Sequence, residues 1–318
     1  MMRTRPQAVY RVPNRIDAEG RVWYTCLYNM DFADSRVGWA VGSGQLMHTR
    51  DAGRTWVNQY DNYMANFAPR RVCAVTQAIC WVIDPIGSGQ IRCLHTMDSG
   101  RSWRASKLEA SGYPKDIFFI NRRRGWLISD DGKILRGGGR IHRTDNAGES
   151  WHSEKLIIKG RPEIIRFFNS RQGWLVERVI TKDQTKTFGV VHRSDDGGKN
   201  WKLAATFDRQ ILDLAVRDTQ RVFVSGEGGL LAGTWDGGKS WQRMKTRTRS
   251  AINSITFDSN SKGIAGGDFG MLLMSEDEGK SWRKLKSPSG DSNCVSVRII
   301  SHDQAVIASE TSIHSLFF

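Results

Sequence analysis

The chain has 318 residues, of which 39% are apolar and 25% are charged, a composition that excludes wholesale disorder. Its length allows one large domain with a sizeable buried core. Lys and Arg outnumber Asp and Glu by 47 to 33, so the formal charge of +14 favours anionic partners. No stretch approaches the roughly 18 apolar residues that a membrane-spanning helix needs.

The N-terminal sequence and the cysteines indicate the compartment. Met-Met-Arg-Thr-Arg-Pro is not followed by an apolar run long enough for a signal peptide. The five cysteines, at positions 26, 73, 80, 93 and 294, cannot all pair, and none lies in a Cys-x-x-Cys motif. We therefore expect reduced, mostly buried thiols and a cytoplasmic protein.

The first predicted element is a β-like run, Ala8-Val-Tyr-Arg-Val, which precedes a repeat. From about residue 24 onward, one eight-residue segment occurs six times. Its copies are Thr49–Trp56, Thr96–Trp103, Thr144–Trp151, Ser194–Trp201, Thr234–Trp241 and Ser275–Trp282. The closing tryptophans recur at the interval of about 40–50 residues that is typical of four-stranded propeller blades.

Each copy predicts a tight hairpin turn. Its third residue is Asp or Asn, whose side chain can accept hydrogen bonds from the backbone amides that follow. The glycine two positions later supplies the positive φ of the turn, and the tryptophan buries a large apolar face. The structural residues predicted on this basis are Asp51, Trp56, Asp98, Trp103, Asn146, Trp151, Asp196, Trp201, Asp236, Trp241, Asp277 and Trp282.

Short β-like runs precede each turn. A Gly-Trp pair opens one of them at Gly38-Trp39, Gly125-Trp126 and Gly173-Trp174, and Trp81, Phe223 and Ile264 hold the equivalent place in the other copies. The pattern predicts four strands for each copy of the repeat.

Three further β-like runs follow the sixth copy, beginning at Cys294, Ala305 and Ser312. We predict that they form a seventh blade, whose fourth strand is the N-terminal run, because this closure removes an open sheet edge. The predicted fold is all-β, a single seven-bladed β-propeller domain over residues 1–318. Residues 1–23 are the closing strand and lead-in, 24–293 the six repeat blades, and 294–318 the seventh.

The repeated motif is the Asp box, also called the BNR repeat. With the Gly-Trp strands, it makes the chain resemble the seven-bladed Asp-box propellers of the photosystem II assembly and stability factor family, over about residues 24 to 315. The resemblance implies an assembly or scaffolding role. The best-known members of that family are exported, whereas no export signal is visible here.

An enzyme is the alternative, because sialidases also carry Asp boxes. Tyr10-Arg11-Val12-Pro13 is similar to the motif that opens a sialidase domain, in which the arginine binds the substrate carboxylate. All six tyrosines lie within the first 113 residues, however, whereas a sialidase places its tyrosine nucleophile near the C-terminus. Other glycosidases need two facing carboxylates, for which the candidates are Asp130, Asp131, Glu177 and Glu227.

Neither the histidines nor the acidic turns predict a metal site. His48, His95, His142 and His192 recur in the register of the repeat and lack a compact ligand spacing. A calcium loop needs several oxygens that converge on the ion, whereas Lys or Arg follows the acidic turn in five of the six copies. We expect no metal and no cofactor.

The basic residues indicate a binding surface. In a propeller, the Asp boxes share one face with the hairpins between the first and second strands. The opposite face carries the connections between blades and the loops between the second and third strands, and variable loops on a rigid scaffold commonly bind partners. The candidate binding residues on that face are Arg70, Arg71, Arg136, Arg140, Lys182, Lys186, Arg243, Lys245, Arg247 and Arg249.

The sequence therefore predicts a non-enzymatic scaffold or assembly factor that binds an acidic protein surface, or a subunit of a larger complex. Arginine suits this task because its guanidinium can make bidentate contacts with carboxylates. Nucleic acid is a less favoured partner, because no segment interleaves aromatic and basic residues in a stacking pattern. Glycoside hydrolysis of the sialidase type remains the alternative function.

Overall fold

A computed structural model describes residues 5–16, 22–23, 25–60, 69–86, 90–132 and 137–318. Three strands precede the first blade, namely β1 (Arg5–Arg11), β2 (Arg15–Ile16) and β3 (Val22–Trp23). Strands β2 and β3 pair as a short hairpin, and a single turn of 3-10 helix lies at Glu227–Gly229. No helix in the described ranges is long and apolar enough to cross a membrane.

The next strands form four-stranded antiparallel blades, each written from its inner to its outer strand. Blade 1 contains β4 (Leu27–Phe32), β5 (Gly38–Gly42), β6 (Gln45–Thr49) and β7 (Val57–Asn58). Blade 2 contains β8 (Arg71–Ala74), β9 (Cys80–Ile86), β10 (Gln90–Thr96) and β11 (Arg104–Ser111). Blade 3 contains β12 (Tyr113–Phe119), β13 (Gly125–Asp130), β14 (Gly139–Thr144) and β15 (His152–Lys155).

The remaining blades repeat this order. Blade 4 contains β16 (Arg161–Phe167), β17 (Gly173–Ile180), β18 (Thr187–Ser194) and β19 (Lys202–Phe207). Blade 5 contains β20 (Ile211–Val216), β21 (Val222–Gly226), β22 (Leu231–Thr234) and β23 (Gln242–Arg243). Blade 6 contains β24 (Ile252–Phe257), β25 (Gly263–Gly267), β26 (Leu272–Ser275) and β27 (Arg283–Lys284). Blade 7 contains β28 (Cys294–Ser301), β29 (Gln304–Ser309), β30 (Ser312–Phe317) and the N-terminal strand β1.

Closure of the ring by β1 confirms the prediction. The strand pairs antiparallel with β30, with Arg11 opposite Ser312 and Gln7 opposite Ser315. On the inner side, the Ser296 hydroxyl of blade 7 donates a hydrogen bond of 3.2 Å to the carbonyl of Met30 in blade 1. The two ends of the chain therefore meet in one sheet, and β30 has no open edge.

The Asp boxes form turns that satisfy their own polar groups. In the first copy, the Thr49 hydroxyl donates to Asp51 Oδ1 at 2.8 Å and accepts from the amide of Gly53 at 3.0 Å. Asp51 also accepts from the amide and the hydroxyl of Thr55, at 2.9 and 2.6 Å. The four other Asp-containing boxes repeat this pattern, and in the third box Asn146 accepts from the Ser150 amide and donates to the Ser150 hydroxyl.

Two successive residues of each box adopt positive φ. The predicted glycine has φ between 75° and 88° in all six copies, and the residue before it has φ between 61° and 80°. The amide of that preceding residue donates to the hairpin between the first two strands of the same blade, as Ala52 does to the carbonyl of Arg36 at 2.9 Å. These hydrogen bonds put both hairpins on one face, as predicted.

Aromatic rings hold neighbouring blades together. Trp81 of blade 2 stacks on Phe119 of blade 3, with ring centroids 4.6 Å apart, and the box residue Trp151 meets both rings edge-on. Trp126 stacks on Phe167 at 3.7 Å between blades 3 and 4, and Phe223 on Phe257 at 4.2 Å between blades 5 and 6. Each such pair contributes roughly 0.5–1.5 kcal/mol beyond its buried area.

The cysteines are mostly buried, as predicted. Cys73, Cys80, Cys93 and Cys294 are buried and unpaired, and Cys26 is half-buried. Burial raises the pKa of the Cys73 thiol to about 12, so this group is a poor nucleophile at neutral pH.

The box glycines complete the contacts between blades, which gives a first prediction. In Gly148→Ala, the new Cβ would lie 2.3 Å from the Trp81 ring at φ +75°. The left-handed backbone costs about 1–2 kcal/mol and overpacking about 1–3 kcal/mol more. Gly290→Ala is the matched control, because its φ is +62° and nothing lies within 4 Å of the new Cβ. Denaturant unfolding should show a much larger loss of stability for Gly148→Ala, and equal losses would contradict the packing role.

Acid should weaken the Asp boxes. Hydrogen bonds from Ser102 and Thr96 hold the pKa of Asp98 at about 2. Because this value lies below that of an unfolded Asp, about 3.9, the charged form stabilises the fold above pH 4, and this contribution is lost as the pH falls towards 2. Asp98→Asn should lower the melting temperature at pH 7, and the difference from wild type should narrow below pH 4. The third box already carries Asn146, so Asn146→Asp should give the opposite shift. A pH-independent difference would contradict this account.

Candidate functional site

The group of candidate basic residues from Arg243 to Arg249 lies on one segment at the rim of blade 5. From Arg243 to Ser250, exposed and half-buried residues alternate. The half-buried residues are fixed to the blade, because the Thr246 hydroxyl donates to the carbonyl of Gly229 at 3.0 Å and the Met244 amide to that of Leu231 at 2.8 Å. The exposed side chains are those of Arg243, Lys245, Arg247 and Arg249.

A groove of about 880 Å³ separates this segment from blade 6; we call it the blade 5–6 groove. Its apolar lining includes Met244, Met271, Leu273 and Trp282, with Phe269 at its edge. Its basic lining consists of Arg243, Lys245, Arg247, Lys280, Arg283 and Lys284. Among the described residues, no acidic side chain lines it.

Acidic residues outside the groove partly neutralise two of these cations. Arg243 pairs with Asp208, and Arg283 Nε lies 3.4 Å from Glu276 Oε2. In the described part of the chain, Lys245, Arg247, Lys280 and Lys284 have no ion-pair partner within 4 Å. Exposed cations that lack an internal partner remain available to an external carboxylate.

A second groove between blades shows that the charge, rather than the shape, is distinctive. Blades 2 and 3 enclose a groove of about 770 Å³, which is lined by Met97, Leu108 and Trp151. Its charged lining residues include Arg104 and Glu149, whose charges cancel. Grooves between outer strands thus follow from the repeat, whereas of these two grooves only the one between blades 5 and 6 combines six basic side chains with no described acidic one.

The structure divides the predicted binding residues among several blades. Arg243, Lys245 and Arg247 line the blade 5–6 groove, and Arg249 follows them in the same segment. Arg136 lies outside the described residues. Arg71, Arg140 and Arg243 lie in strands β8, β14 and β23, which differs from the predicted loop positions.

The other candidates stand apart from the groove. The Arg70 guanidinium lies 4.3 Å above the Tyr28 ring, and Arg71 Nε lies 3.8 Å from Asp116 Oδ1. Lys182 and Lys186 are exposed in the turn after β17. Sequence reasoning missed Phe269, Lys280, Arg283 and Lys284 as neighbours of this segment, because it treated each blade separately.

The inner strands carry a belt of charges that sequence reasoning also missed. Arg298 Nε donates to Asp31 Oδ1 at 3.0 Å, and Arg166 pairs with Asp116. The belt consists of Asp31, Arg71, Asp116, Arg166, Asp213 and Arg298.

The carboxylates of this belt also connect successive blades. They accept the backbone amides of Ala74, Ile165 and Ile255 in the following blades, at 2.9, 2.9 and 3.0 Å. The belt is therefore explained by cohesion of the ring. Its sequence signal was a charge inside an apolar run, as in Ile164-Ile-Arg-Phe-Phe.

The carboxylates considered for glycoside hydrolysis are engaged within the fold or exposed. Asp130 is buried, with Lys115 Nζ and Arg161 Nη2 at 3.1 and 2.9 Å from its Oδ2. Burial opposes ionisation of Glu177, yet hydrogen bonds from His192 and a backbone amide hold its pKa below the ordinary value. Asp131 and Glu227 are exposed.

Arg11, the candidate sialidase arginine, lies on β1, the outermost strand of blade 7. Strand β1 pairs with β30 at the outer side of the blade, away from the inner strands. The Arg11 side chain is exposed. The Tyr10-Arg11-Val12-Pro13 segment therefore serves as the predicted closing strand.

The histidines have structural neighbours. His48 and His95 lie against Trp39 and Trp81, with ring centroids 4.7 and 4.5 Å apart. His142 is fully buried between the hydroxyls of Ser129 and Ser153, at 3.0 and 2.7 Å, and burial lowers its pKa to about 4.

Solved structures with the same architecture include close matches in shape at low identity. A YCF48 structure with a bound D1 peptide shares 20% identity with a TM-score of 0.72, covering 97% of this chain and 95% of that one. YCF48 from Cyanidioschyzon merolae shares 18% identity with a TM-score of 0.71, covering 98% of this chain and 99% of that one. The GH74 xyloglucanase from Xanthomonas campestris shares 12% identity with a TM-score of 0.70, covering 98% of this chain and 53% of that one.

The two comparisons that are based on sequence give different results. A comparison with curated proteins gives no match. A family model for the photosynthesis system II assembly factor YCF48, in contrast, matches residues 22–160 and 194–312, which make up most of the chain. The chain therefore belongs to the YCF48 assembly-factor family.

Proposed function

We propose that the protein is a non-enzymatic assembly factor that holds an acidic segment of a client protein in the blade 5–6 groove. The observation that carries the proposal is the lining of this groove, which combines six Lys and Arg side chains with an apolar floor and no described acidic residue. A carboxylate entering the groove would replace the missing internal partners of Lys245, Arg247 and Lys284.

Family membership supports the class of partner. A YCF48 has been solved with a bound D1 peptide, so a propeller of this family can hold a peptide segment. At 20% identity, that likeness shows the fold alone, and the place of binding in this chain is argued from its own residues.

A hydrolytic function has less support. The likeness to a GH74 xyloglucanase rests on shape at 12% identity, and a shared propeller fold does not imply a shared activity. Glycoside hydrolysis needs an acid and a base or nucleophile across the sugar, whereas Asp130 is held by Lys115 and Arg161, and Glu177 by His192.

The test is a charge reversal in the groove. In Lys245→Glu/Arg247→Glu/Lys284→Glu, a fluorescently labelled Glu-rich peptide should bind at least about tenfold more weakly in fluorescence anisotropy, equivalent to about 1.4 kcal/mol. Rising salt should weaken the wild-type complex, because exposed ion pairs are screened.

The matched control is Arg54→Glu/Arg101→Glu/Arg122→Glu, which changes the net charge equally at exposed positions on the Asp-box face. It should bind the peptide nearly as the wild type does. If both triple variants bound the peptide equally weakly, the loss would come from the change in net charge alone. This result would contradict a site in the groove. A single-stranded oligonucleotide that binds more tightly than the peptide would favour nucleic acid as the partner.

A further inference from the structure

We infer that Phe269 is a specificity-determining residue, which makes the blade 5–6 groove select acidic segments that carry a bulky apolar side chain between their acidic residues. The inference rests on the proposed function and adds the kind of segment that is chosen. It is carried by the backbone at Phe269, by comparison with blade 5, and by the surroundings of the ring.

The backbone at Phe269 has a conformation that does not favour an aromatic residue. Phe269 and Gly270 have φ of 55° and 63°, within a turn in which the Met271 amide donates to the carbonyl of Asp268 at 3.1 Å. Two successive positive φ values are typical of a type I′ turn, which prefers Asn-Gly or Gly-Gly. A bulky residue at such a position is an outlier.

The same turn in blade 5 shows that the fold does not require an aromatic residue. There, the Leu230 amide donates to the carbonyl of Glu227 at 3.2 Å, and Gly228 and Gly229 have φ of 63° and 73°. Phe269 of blade 6 thus occupies the position that Gly228 holds in blade 5. The aromatic side chain is an addition to a turn that forms without it.

The ring of Phe269 lies where a ligand could reach it. It is 75% exposed, so the ring contributes little to the core, and it lines the groove together with Met244, Met271 and Trp282. Arg247 on the facing wall also has a positive φ, of 54°. Strained backbone at two lining residues of one groove favours a binding role, because such conformations cluster at ligand sites.

Other non-glycine residues with positive φ have different surroundings. Among the described residues, they are Ala52, Ser99, Ala147 and Glu278 in the Asp boxes, and Gln184 and Ser261 in exposed or half-buried turns. None of these lines the blade 5–6 groove. Ala147 lines the groove between blades 2 and 3, so the blade 5–6 groove is distinguished by having two such residues, Phe269 and Arg247.

The chemistry of the groove defines the segment. An apolar side chain packed on Phe269 and the methionines would remove both surfaces from water, which is favourable in proportion to the area buried. Lys245 and Arg247 on one wall, with Lys284 on the other, would bind carboxylates on either side of it. A purely acidic segment would leave the Phe269 ring exposed and would bind less tightly.

The test compares two labelled peptides that share the same Glu residues and differ at one central position, Phe or Ser. Wild type should bind the Phe peptide about tenfold more tightly in anisotropy. In Phe269→Gly this preference should disappear, while the Ser peptide binds as before. Because glycine suits the turn, Phe269→Gly should melt at or above the wild-type temperature, so that lost preference cannot result from unfolding.

Gln184→Gly is the matched control, because Gln184 is exposed with φ of 59° in a turn of blade 4. It should melt at or above the wild-type temperature and keep the preference for the Phe peptide.

If Phe269→Gly kept the preference for the Phe peptide, the inference would be overturned. The proposed function would remain intact as long as the groove charge reversal still weakened the binding of both peptides. Failure of wild type to bind either peptide would overturn both. Phe269-dependent binding to phosphatidylserine vesicles, without discrimination between the peptides, would assign the ring to a membrane surface and would also overturn the inference.

Discussion

The contact between an aromatic ring of one blade and the Asp box of the next is the constraint on which the ring depends. Trp81 stacks on Phe119 and meets Trp151 edge-on, and Gly148 approaches the same ring so closely that a Cβ would not fit. The box can make this approach because its own hydrogen bonds fix two left-handed residues in succession. The turn, the glycine and the tryptophan of the repeat therefore act together, and at Gly148, Gly238 and Gly279 they set the position of one blade against an aromatic ring of the preceding blade.

The proposed site lies where the repeat is altered. The fold produces a groove between outer strands at more than one place, and the groove between blades 2 and 3 combines opposite charges. Between blades 5 and 6, the segment from Arg243 to Arg249 presents a cation at every second residue. The turn of blade 6 adds an aromatic ring where blade 5 has glycine. A rigid scaffold thus acquires a specific surface through a few residues at positions that carry little of its stability.

The fold could be predicted because its determinants are local and repeated. The spacing of Trp56, Trp103 and the later tryptophans defined the blades, and the leftover run before Pro13 defined the closure. The site was only partly predictable. Arg243, Lys245 and Arg247 were visible as a cluster, whereas Lys284 and Phe269 join them through packing between blades, which a single-sequence pattern does not encode. The belt of Asp31, Arg166 and Arg298 was missed for the same reason, since its partners are far apart in the chain.

Hydrogen–deuterium exchange of the protein with and without an acidic peptide tests the central claim most directly, because it locates the contact without altering any residue. We expect slower exchange of backbone amides at 244–250 and 268–271 in the complex, with the inner strands and the Asp boxes of blades 1 to 5 unchanged. Protection confined to the Asp boxes of blades 1 to 5 or to the inner strands would place the partner elsewhere and would contradict the proposed site.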